Sequence, residues 1–246
     1  MKIIKSFFAI AAVSVLVVSC DKVKDFGDTN VNPNGTATPS TAALLTNVES
    51  ALGAANTQGG IYSQMFSETQ YTDVSLYALP KLNFDGIYAG ILMDLKNIIN
   101  INTDDATKSA ATKFGSNANQ IGVARILKAY ILWTVADRWG DIPYSEALKG
   151  EENLTPKYDK QEDIYKDLVK ELTQAKAQVD PNTPAPSGDI VYFKPTAGSF
   201  TQAAWPAAAA KWKKLANSLR MLIALRTSKV YPNAGDWAAT NFTAGY

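Results

Sequence analysis

The sequence contains no histidine and only one cysteine, Cys20. The absence of histidine excludes Ser-His-Asp sites, Cys-His sites and histidine-ligated zinc, because each of these needs an imidazole. A single cysteine also excludes a disulfide within the chain. Carboxylate or lysine catalysis is still open, so these absences weaken an enzymatic interpretation without removing it.

The chain has no excess of charge either. It carries 24 basic and 23 acidic residues, for a formal net charge of +1. A nucleic-acid-binding protein would need a basic face, so we expect no nucleic-acid partner. The hydrophobic content of 46% is ordinary for a folded protein, and 246 residues can bury a substantial core in one or two domains.

The first twenty residues, MKIIKSFFAIAAVSVLVVSC, place two lysines ahead of an apolar run from Phe7 to Val18. Twelve helical residues rise about 18 Å, which is too short for a bilayer core of about 30 Å. This layout is typical of a secretory signal peptide, which we assign to residues 1–19. No later segment is apolar enough to span a membrane.

Cys20 directly follows a small residue, Ser19, and the stretch Val17-Val18-Ser19-Cys20 resembles the lipobox of bacterial lipoproteins. The resemblance implies cleavage before Cys20, diacylglycerol on its sulfur and an acyl chain on the new amino terminus. Two or more acyl chains give firm membrane attachment. The alternative is a plain signal peptide with an incidental cysteine. Residues 20–39, rich in Asn, Thr, Pro and Gly, are then a lipidated tether.

From residue 40 onward, apolar residues recur at the three- and four-residue spacing of helices. Ser40 or Thr41 can cap a first helix, which the Gly-rich stretch 53–60 ends. Further helices are predicted over 61–76, 84–101, 117–138, from a capping box at Asp159 and Glu162 onward, and over 207–227.

Strand is scarce in the remaining sequence. The short stretch DIVYF at 189–193 predicts at most a single strand pair, and the residues after 227 contain no obvious closing element. The predicted fold class is therefore all-α, with tetratricopeptide-like stacked helical hairpins and long loops over residues 40–246.

The stretch from Arg138 to Tyr144 combines Arg, Trp, Asp and Tyr, a set that also occurs in active sites. Each residue has a structural role, however. Gly140 can close the last helical turn, Ile142 can supply the hydrophobic contact that follows, and Pro143 blocks continuation. Asp141 can accept backbone N–H bonds. Because no base or ligand set accompanies them, we interpret this stretch as the corner where a buried helix ends.

Four stretches, in order, resemble the SusD/RagB family of outer-membrane nutrient-binding lipoproteins, particularly its starch-binding-associated subgroup. The longest of them, residues 124–148, resembles the signature helix and loop of the family. The four are DTNVNPNG (28–35), ARILKAYILWTVADRWGDIPYSEAL (124–148), YDKQEDIYKDLVKELTQA (158–175), and GDIVYF (188–193) followed by KWKKLANSLRMLIALRTS (211–228). The resemblance spans residues 20–246.

The resemblance implies a function and a size. It implies a lipoprotein of the Gram-negative outer membrane that faces outward and acts as the lid of a SusC-like TonB-dependent transporter. It implies non-catalytic capture of an oligosaccharide or peptide between lid and barrel. Family members are roughly twice this length, so the chain is expected to be the N-terminal half of a longer protein.

Ligand residues cannot be carried over from the family's shared motifs. Sugars are held by aromatic faces together with amides and carboxylates that bond their hydroxyls. The segment 68–88 offers such side chains around a proline break, and we select from it five candidates: Gln70, Tyr71, Asp73, Tyr77 and Asn83. Ordinary helix-packing tyrosines are the alternative for Tyr71 and Tyr77. Trp205 and Trp237 are weaker candidates.

Two other functions stay open at this point. One is a lipid-anchored helical scaffold that binds only proteins. The other is an α-helical glycoside hydrolase, which would need a carboxylate pair in a cleft. The loop carboxylates Asp73, Asp141 and Asp189 exist, but nothing in the sequence pairs them. We therefore predict a binding protein with no catalytic residue, no metal and no cofactor.

Overall fold

The computed structural model describes residues 39–52, 57–70, 72–78, 83–193 and 201–246. The chain divides into two compact units, Met1–Pro39 and Ser40–Tyr246, and the fold below belongs to the second. The predicted signal peptide, Cys20 and the predicted tether up to residue 38 lie outside the described residues. None of the described helices is both long and apolar enough to cross a membrane.

Helices make up most of this unit. In chain order they are α1 (Thr41–Ala51), α2 (Thr57–Tyr62), α3 (Asp85–Ile87), a π-helical turn (Tyr88–Leu92), α4 (Met93–Thr103), α5 (Lys108–Ala111), α6 (Asn117–Trp139), α7 (Gln161–Gln178), α8 (Trp205–Arg226) and α9 (Trp237–Thr243). Short 3-10 turns are Thr112–Phe114, Gly150–Glu152 and Gln202–Ala204. Within the described ranges, the sheet consists of β1 (Ile142–Pro143) antiparallel to β2 (Tyr158–Asp159).

The long helices pack against their neighbours in sequence. α4 packs on α6, α6 on α7, α7 on α8 and α8 on α9, while α1 packs on α4. Successive helices that bury their apolar faces on one another form a row of helical hairpins. The predicted all-α fold class with at most a short strand pair is therefore confirmed.

Helix α6 is buried on most of its sides, as its nearly continuous apolar sequence predicts. The Ser116 hydroxyl caps its start by accepting a hydrogen bond from the N–H of Asn119 at 3.2 Å. Gly122 lets α7 approach closely, since a Cβ there would lie 2.9 Å from the Val179 side chain. The central position of α6 thus depends on small residues as well as apolar ones.

The corner after α6 ends one helix and starts the next. Gly140 has a φ of 78°, and its N–H donates to the Ala136 carbonyl at 2.9 Å. Asp141 accepts the N–H of Gln161, the first residue of α7, at 2.9 Å. Ile142 is fully buried. This geometry agrees with the structural interpretation of the corner.

The predicted capping box at Asp159 is wrong. Lys160 occupies the cap position and makes no side-chain cap bond. The Asp159 carboxylate instead accepts the backbone N–H groups of Tyr144 and Ser145, at 3.2 and 2.7 Å. The cap of α7 comes from Asp141, twenty residues earlier, because the corner brings that carboxylate to the helix start.

The predicted strand at 189–193 is also wrong, because its backbone donors are taken by carboxylates. Asp189 accepts the N–H groups of Val191 and Tyr192, each at 2.9 Å, and Glu49 accepts those of Ile190 and Val191. Those donors are therefore not available for a strand ladder. The strand pair lies at β1 and β2 instead.

The predicted second helix, 61–76, is wrong in its extent. Helix α2 starts earlier, at Thr57, includes Gly59 and Gly60 from the predicted breaker, and ends at Tyr62. Gln64 has a φ of 59°, which an α-helix cannot accommodate. Residues 53–56 of the predicted breaker lie outside the described residues.

The remaining predicted helices are found with small shifts. Helix α1 is capped by Ser40, whose hydroxyl accepts the Ala43 N–H at 3.4 Å. Helix α8 begins two residues earlier than predicted, with Pro206 in its first turn, where a missing N–H costs nothing. Helix α9 was not predicted, because its seven residues are too few to show a period.

Candidate functional site

Four of the five predicted ligand residues lie in the described part of the chain, and the structure shows no polar contact among their side chains. Tyr71 lies outside the described residues. Gln70, Asp73 and Asn83 are exposed, and in the described part of the chain no hydrogen bond joins their side chains to one another. Their role in ligand binding therefore stays a prediction.

Tyr77 lies in a turn that folds back on α2. Its ring stacks on that of Tyr62, with centroids 5.5 Å apart, and its hydroxyl donates to the Tyr62 carbonyl at 2.8 Å. The Glu68 carboxylate fastens the turn by accepting the Ser75 N–H at 3.0 Å. Tyr77 is half exposed and has a φ of 57°, which is uncommon for a tyrosine.

A cleft of about 490 Å³ lies next to this segment in sequence. One wall is formed by residues 84–93, from α3 through the π-helical turn. The other is formed by residues 143–158, which connect β1 and β2. Asn83, one of the predicted ligand residues, immediately precedes the first wall.

The first wall is an interrupted helix. The π-helical turn Tyr88–Leu92 includes Gly90, whose φ of −98° and ψ of −107° are not helical. The interruption divides the predicted helix 84–101 into α3 and α4. Single π-helical turns occur frequently at functional sites, because they displace side chains from the regular spacing.

The second wall contains two residues with positive φ, Leu148 at 62° and Gly150 at 60°. Asn153 braces it, since its amide oxygen accepts the Thr155 N–H at 3.2 Å. At its end, Tyr158 pairs with Pro143 across the two-stranded sheet and is 62% exposed. Positive φ at a leucine stores strain of the kind that clusters at binding sites.

Aromatic rings connect the cleft to the end of α6. Phe84 lies between Trp139, at 5.4 Å with an edge-on geometry, and Tyr88, at 5.5 Å. The Arg138 guanidinium lies over the Trp139 ring at 5.0 Å. The Tyr88 hydroxyl donates to the Pro143 carbonyl and so ties the two walls together. The corner at residues 138–144 therefore contacts the cleft residues Phe84 and Tyr88 through Trp139 and Pro143.

The cleft combines aromatic surface with hydrogen-bonding groups. Burial, with smaller effects of Tyr158 and Asp159, raises the pKa of Tyr88 above its usual range, so its phenol stays a donor. Asp85 and Lys149 also line the cleft, and neither side chain makes a hydrogen bond or ion pair to another described residue. Aromatic rings beside free polar groups suit a ligand with both C–H and hydroxyl surface.

Sequence reasoning missed this second wall. The helix predicted from Asp159 onward begins directly after Tyr158, and the sequence analysis selects no ligand residue from the Gly-, Asn- and Pro-containing loop before it. A turn-rich stretch that ends in an exposed aromatic residue was the available signal. No group of three or more metal-ligating side chains occurs among the described residues.

The described residues within 40–246 thus form a row of helical hairpins with an open, aromatic-lined cleft. Residues 33–246 match the SusD-like family described as "Starch-binding associating with outer membrane". The chain therefore belongs to the SusD-like family, whose members are binding proteins, and the resemblance to SusD/RagB proteins is confirmed.

Solved structures agree with this assignment. A chitin-binding protein is 27% identical with a TM-score of 0.60, covering 83% of this chain and 42% of its own. A SusD homologue from Bacteroides fragilis is 20% identical, with a TM-score of 0.59 and coverages of 83% and 40%. A SusD/RagB family protein from Bacteroides thetaiotaomicron is 21% identical, with a TM-score of 0.59 and coverages of 85% and 43%. The last two show the fold alone.

The chain spans about two fifths of the length of the solved structures that it matches. No protein with a curated description matches the sequence.

Proposed function

We propose that this protein binds carbohydrate for nutrient uptake as a surface-exposed, lipid-anchored component of the outer membrane. The family's description links it to starch binding and the outer membrane, and one similar structure is that of a chitin-binding protein. The observation that carries the proposal is the cleft between residues 84–93 and 143–158.

Tyr158 is the residue on which the proposal can be tested most sharply. Its ring is exposed at the edge of the cleft, while the Tyr88 ring is held by its bond to Pro143. An exposed ring next to free Asp85 and Lys149 side chains can stack on a sugar while the polar groups bond its hydroxyls.

Tyr158→Ala is expected to weaken the binding of an oligosaccharide by about tenfold, because the stacking surface is lost. Tyr158→Phe keeps the ring and is expected to bind nearly as the wild type. Isothermal titration calorimetry with soluble malto-oligosaccharides and chito-oligosaccharides measures both, and also shows which glycan is preferred.

Leu154→Ala is the matched control for that series, since Leu154 lies in the same loop, is 80% exposed and does not line the cleft. Its affinity should equal that of the wild type. If Tyr158→Ala binds as tightly as Leu154→Ala, the cleft is not the binding site. If the wild type binds neither glycan, the carbohydrate proposal is wrong.

The lipid anchor belongs to the same proposal and depends on Cys20. Cys20→Ser is expected to abolish labelling by radioactive palmitate and to release the protein from the membrane fraction, because no acyl chain can be attached. Ser19→Ala keeps a small residue before the cysteine and should be labelled normally. Unchanged labelling of Cys20→Ser would contradict the lipoprotein assignment.

The proposed partner is a SusC-like TonB-dependent transporter, with this protein as its lid. Affinity purification from native membranes in mild detergent, followed by mass spectrometry, is expected to recover a large β-barrel protein in stoichiometric amount. Recovery without any barrel would contradict the lid and would favour a free-standing scaffold.

A further inference from the structure

A second cavity, of about 220 Å³, lies between α6 and α7 and shares no lining residue with the cleft. Arg125 and Lys128 of α6 face Asp167 and Glu171 of α7 across it, and Tyr144 of the corner lies at its edge. Its volume is below the roughly 300–1,000 Å³ of sites for drug-sized ligands, so an occupant must be small.

Most of these polar groups already satisfy one another. Arg125 donates to both oxygens of Glu171, from Nε at 2.9 Å and from Nη2 at 2.8 Å. The Tyr144 hydroxyl donates to Oδ2 of Asp167 at 2.6 Å. Burial, followed by the hydrogen bond to Asp167, raises the pKa of Tyr144 above its usual range. The walls are therefore fixed before any ligand binds.

Two groups in the cavity have hydrogen-bonding capacity that no described residue uses. Within the described residues, the Lys128 ammonium has no hydrogen bond and no ion pair within 4.0 Å, and Oδ1 of Asp167 accepts no hydrogen bond. Burial lowers the pKa of Lys128; Lys96 and Arg125 add to this effect, while Glu171 and Asp167 oppose it. Both groups can therefore form hydrogen bonds to a ligand that enters the cavity.

We propose that this cavity binds one sugar ring through two neighbouring hydroxyl groups. The Lys128 ammonium donates to one hydroxyl, and Oδ1 of Asp167 accepts from the next. A vicinal diol is suited to this pair, because each hydroxyl can both donate and accept. The proposal relies on the proposed function only for the choice of sugars as ligands, since the site is separate from the cleft.

A small anion fits the cavity less well than a neutral diol. Arg125 and Glu171 offset each other's charge, whereas the free Asp167 oxygen would repel an anion bound to Lys128. A neutral polyol uses the cation and the anion together without adding charge.

The test is binding of methyl α-glucopyranoside and methyl α-galactopyranoside to the full chain, measured by saturation-transfer NMR and calorimetry. Lys128→Met and Asp167→Asn are each expected to weaken binding by at least about tenfold, as expected for a lost hydrogen bond to a charged group. Lys213→Met is the matched control, because Lys213 is also a half-buried lysine but does not line the cavity.

Removal of one ligand hydroxyl complements the protein variants. A methyl glycoside that lacks the 2-hydroxyl or the 3-hydroxyl should bind the wild type more weakly than the parent sugar does. On Lys128→Met or Asp167→Asn, the deoxy sugar and the parent sugar should bind equally weakly, because the hydrogen bond is already lost. Circular dichroism of each variant establishes that α6 and α7 are still folded. Lys128→Met keeps the aliphatic stem, so the packing of the helix should persist.

The outcomes separate this inference from the proposed function. If Tyr158→Ala loses oligosaccharide binding while the wild type binds no monosaccharide, the proposed function stands and this site does not exist. If Lys128→Met binds monosaccharides as tightly as Lys213→Met, the inference is overturned. Displacement of the sugar by dilute acetate would overturn it too, because the cavity would then be an anion site.

Discussion

Trp212→Ala is expected to lower the free energy of unfolding by about 4 kcal/mol, which is a large part of the stability of a typical domain. Trp212 is fully buried, and its ring meets that of Tyr192 edge-on at 4.9 Å. Its indole N–H donates to the buried Asp189 carboxylate at 2.6 Å. Truncation therefore leaves a cavity and removes a donor from a buried charge.

Trp212→Phe and Trp205→Phe separate these two contributions. Both tryptophans are fully buried in α8, but the indole of Trp205 donates to a neutral acceptor, the Asp180 carbonyl, at 2.9 Å. Because bonds to charged groups are the stronger ones, Trp212→Phe is expected to lose about 1–2 kcal/mol more than Trp205→Phe.

Urea unfolding at neutral pH, followed by circular dichroism, measures all three variants. Equal losses for Trp212→Phe and Trp205→Phe would show that the bond to Asp189 adds nothing beyond the bond to a carbonyl. A loss near zero for Trp212→Ala would contradict its place in the core.

Glu49→Gln is expected to remove a large pH dependence of stability. Glu49 is 4% exposed, and its carboxyl group lies within hydrogen-bonding reach of Asp189. Burial, and then the charge of Asp189, raise the pKa of Glu49 from 4.5 to about 8, although the Ile190 and Val191 N–H groups act in the opposite direction. Glu49 is therefore protonated in the folded protein at neutral pH.

Protonation also accounts for an otherwise unexplained atom. Oε1 of Glu49 is buried and accepts no hydrogen bond from any described residue. A protonated Glu49 can donate to Asp189, which satisfies that oxygen. In the Glu49→Gln variant, the side-chain amide would donate to Asp189 in the same way.

The sign of the effect follows from the two pKa values. The folded state holds the proton up to about pH 8, and the unfolded state releases it near pH 4.5. The contribution of Glu49 to stability is therefore fully present below pH 4.5 and is lost as the pH rises to about 8. At about 1.4 kcal/mol per pH unit, the total change is up to about 5 kcal/mol.

The measurement is the free energy of unfolding in urea at pH 5, 6, 7 and 8 for the wild type and Glu49→Gln. The free energy of unfolding of the variant should rise relative to that of the wild type at each step in pH, because only the wild type loses the contribution of Glu49. The effects of the other titrating groups cancel in the difference. Glu152→Gln, at an exposed glutamate, should follow the wild type throughout. A constant difference for Glu49→Gln would mean that Glu49 is ionised when folded.

Local patterns predicted the long helices well. The Ser40 cap, the Asn117 start of α6 and the all-round burial of α6 each depend on residues within a few positions of one another. Glu162 and Lys166, one turn apart on α7, form an ion pair at 2.6 Å. Such features depend on residues that are close in sequence, so local patterns are enough to predict them.

The errors share one cause, a partner that lies far away in sequence. The prediction of a strand at 189–193 was wrong because Glu49, about 140 positions earlier, accepts hydrogen bonds from its backbone N–H groups. The prediction of a cap at Asp159 was wrong because Asp141 accepts the hydrogen bond from the first N–H group of α7. The cleft was missed because its walls belong to two segments about 55 positions apart, which Tyr88 and Pro143 join.

The sequence alone determined the all-α class, the order of the long helices, the absence of histidine chemistry and the resemblance to the SusD-like family. The tertiary structure decided where the strand pair forms, which carboxylates are buried together and which side chains share a cavity. The physical reason is the range of the interactions. Helical periodicity and capping are written in neighbouring residues, whereas a cleft, a buried carboxylate pair or an unpaired lysine exists only after distant segments have packed.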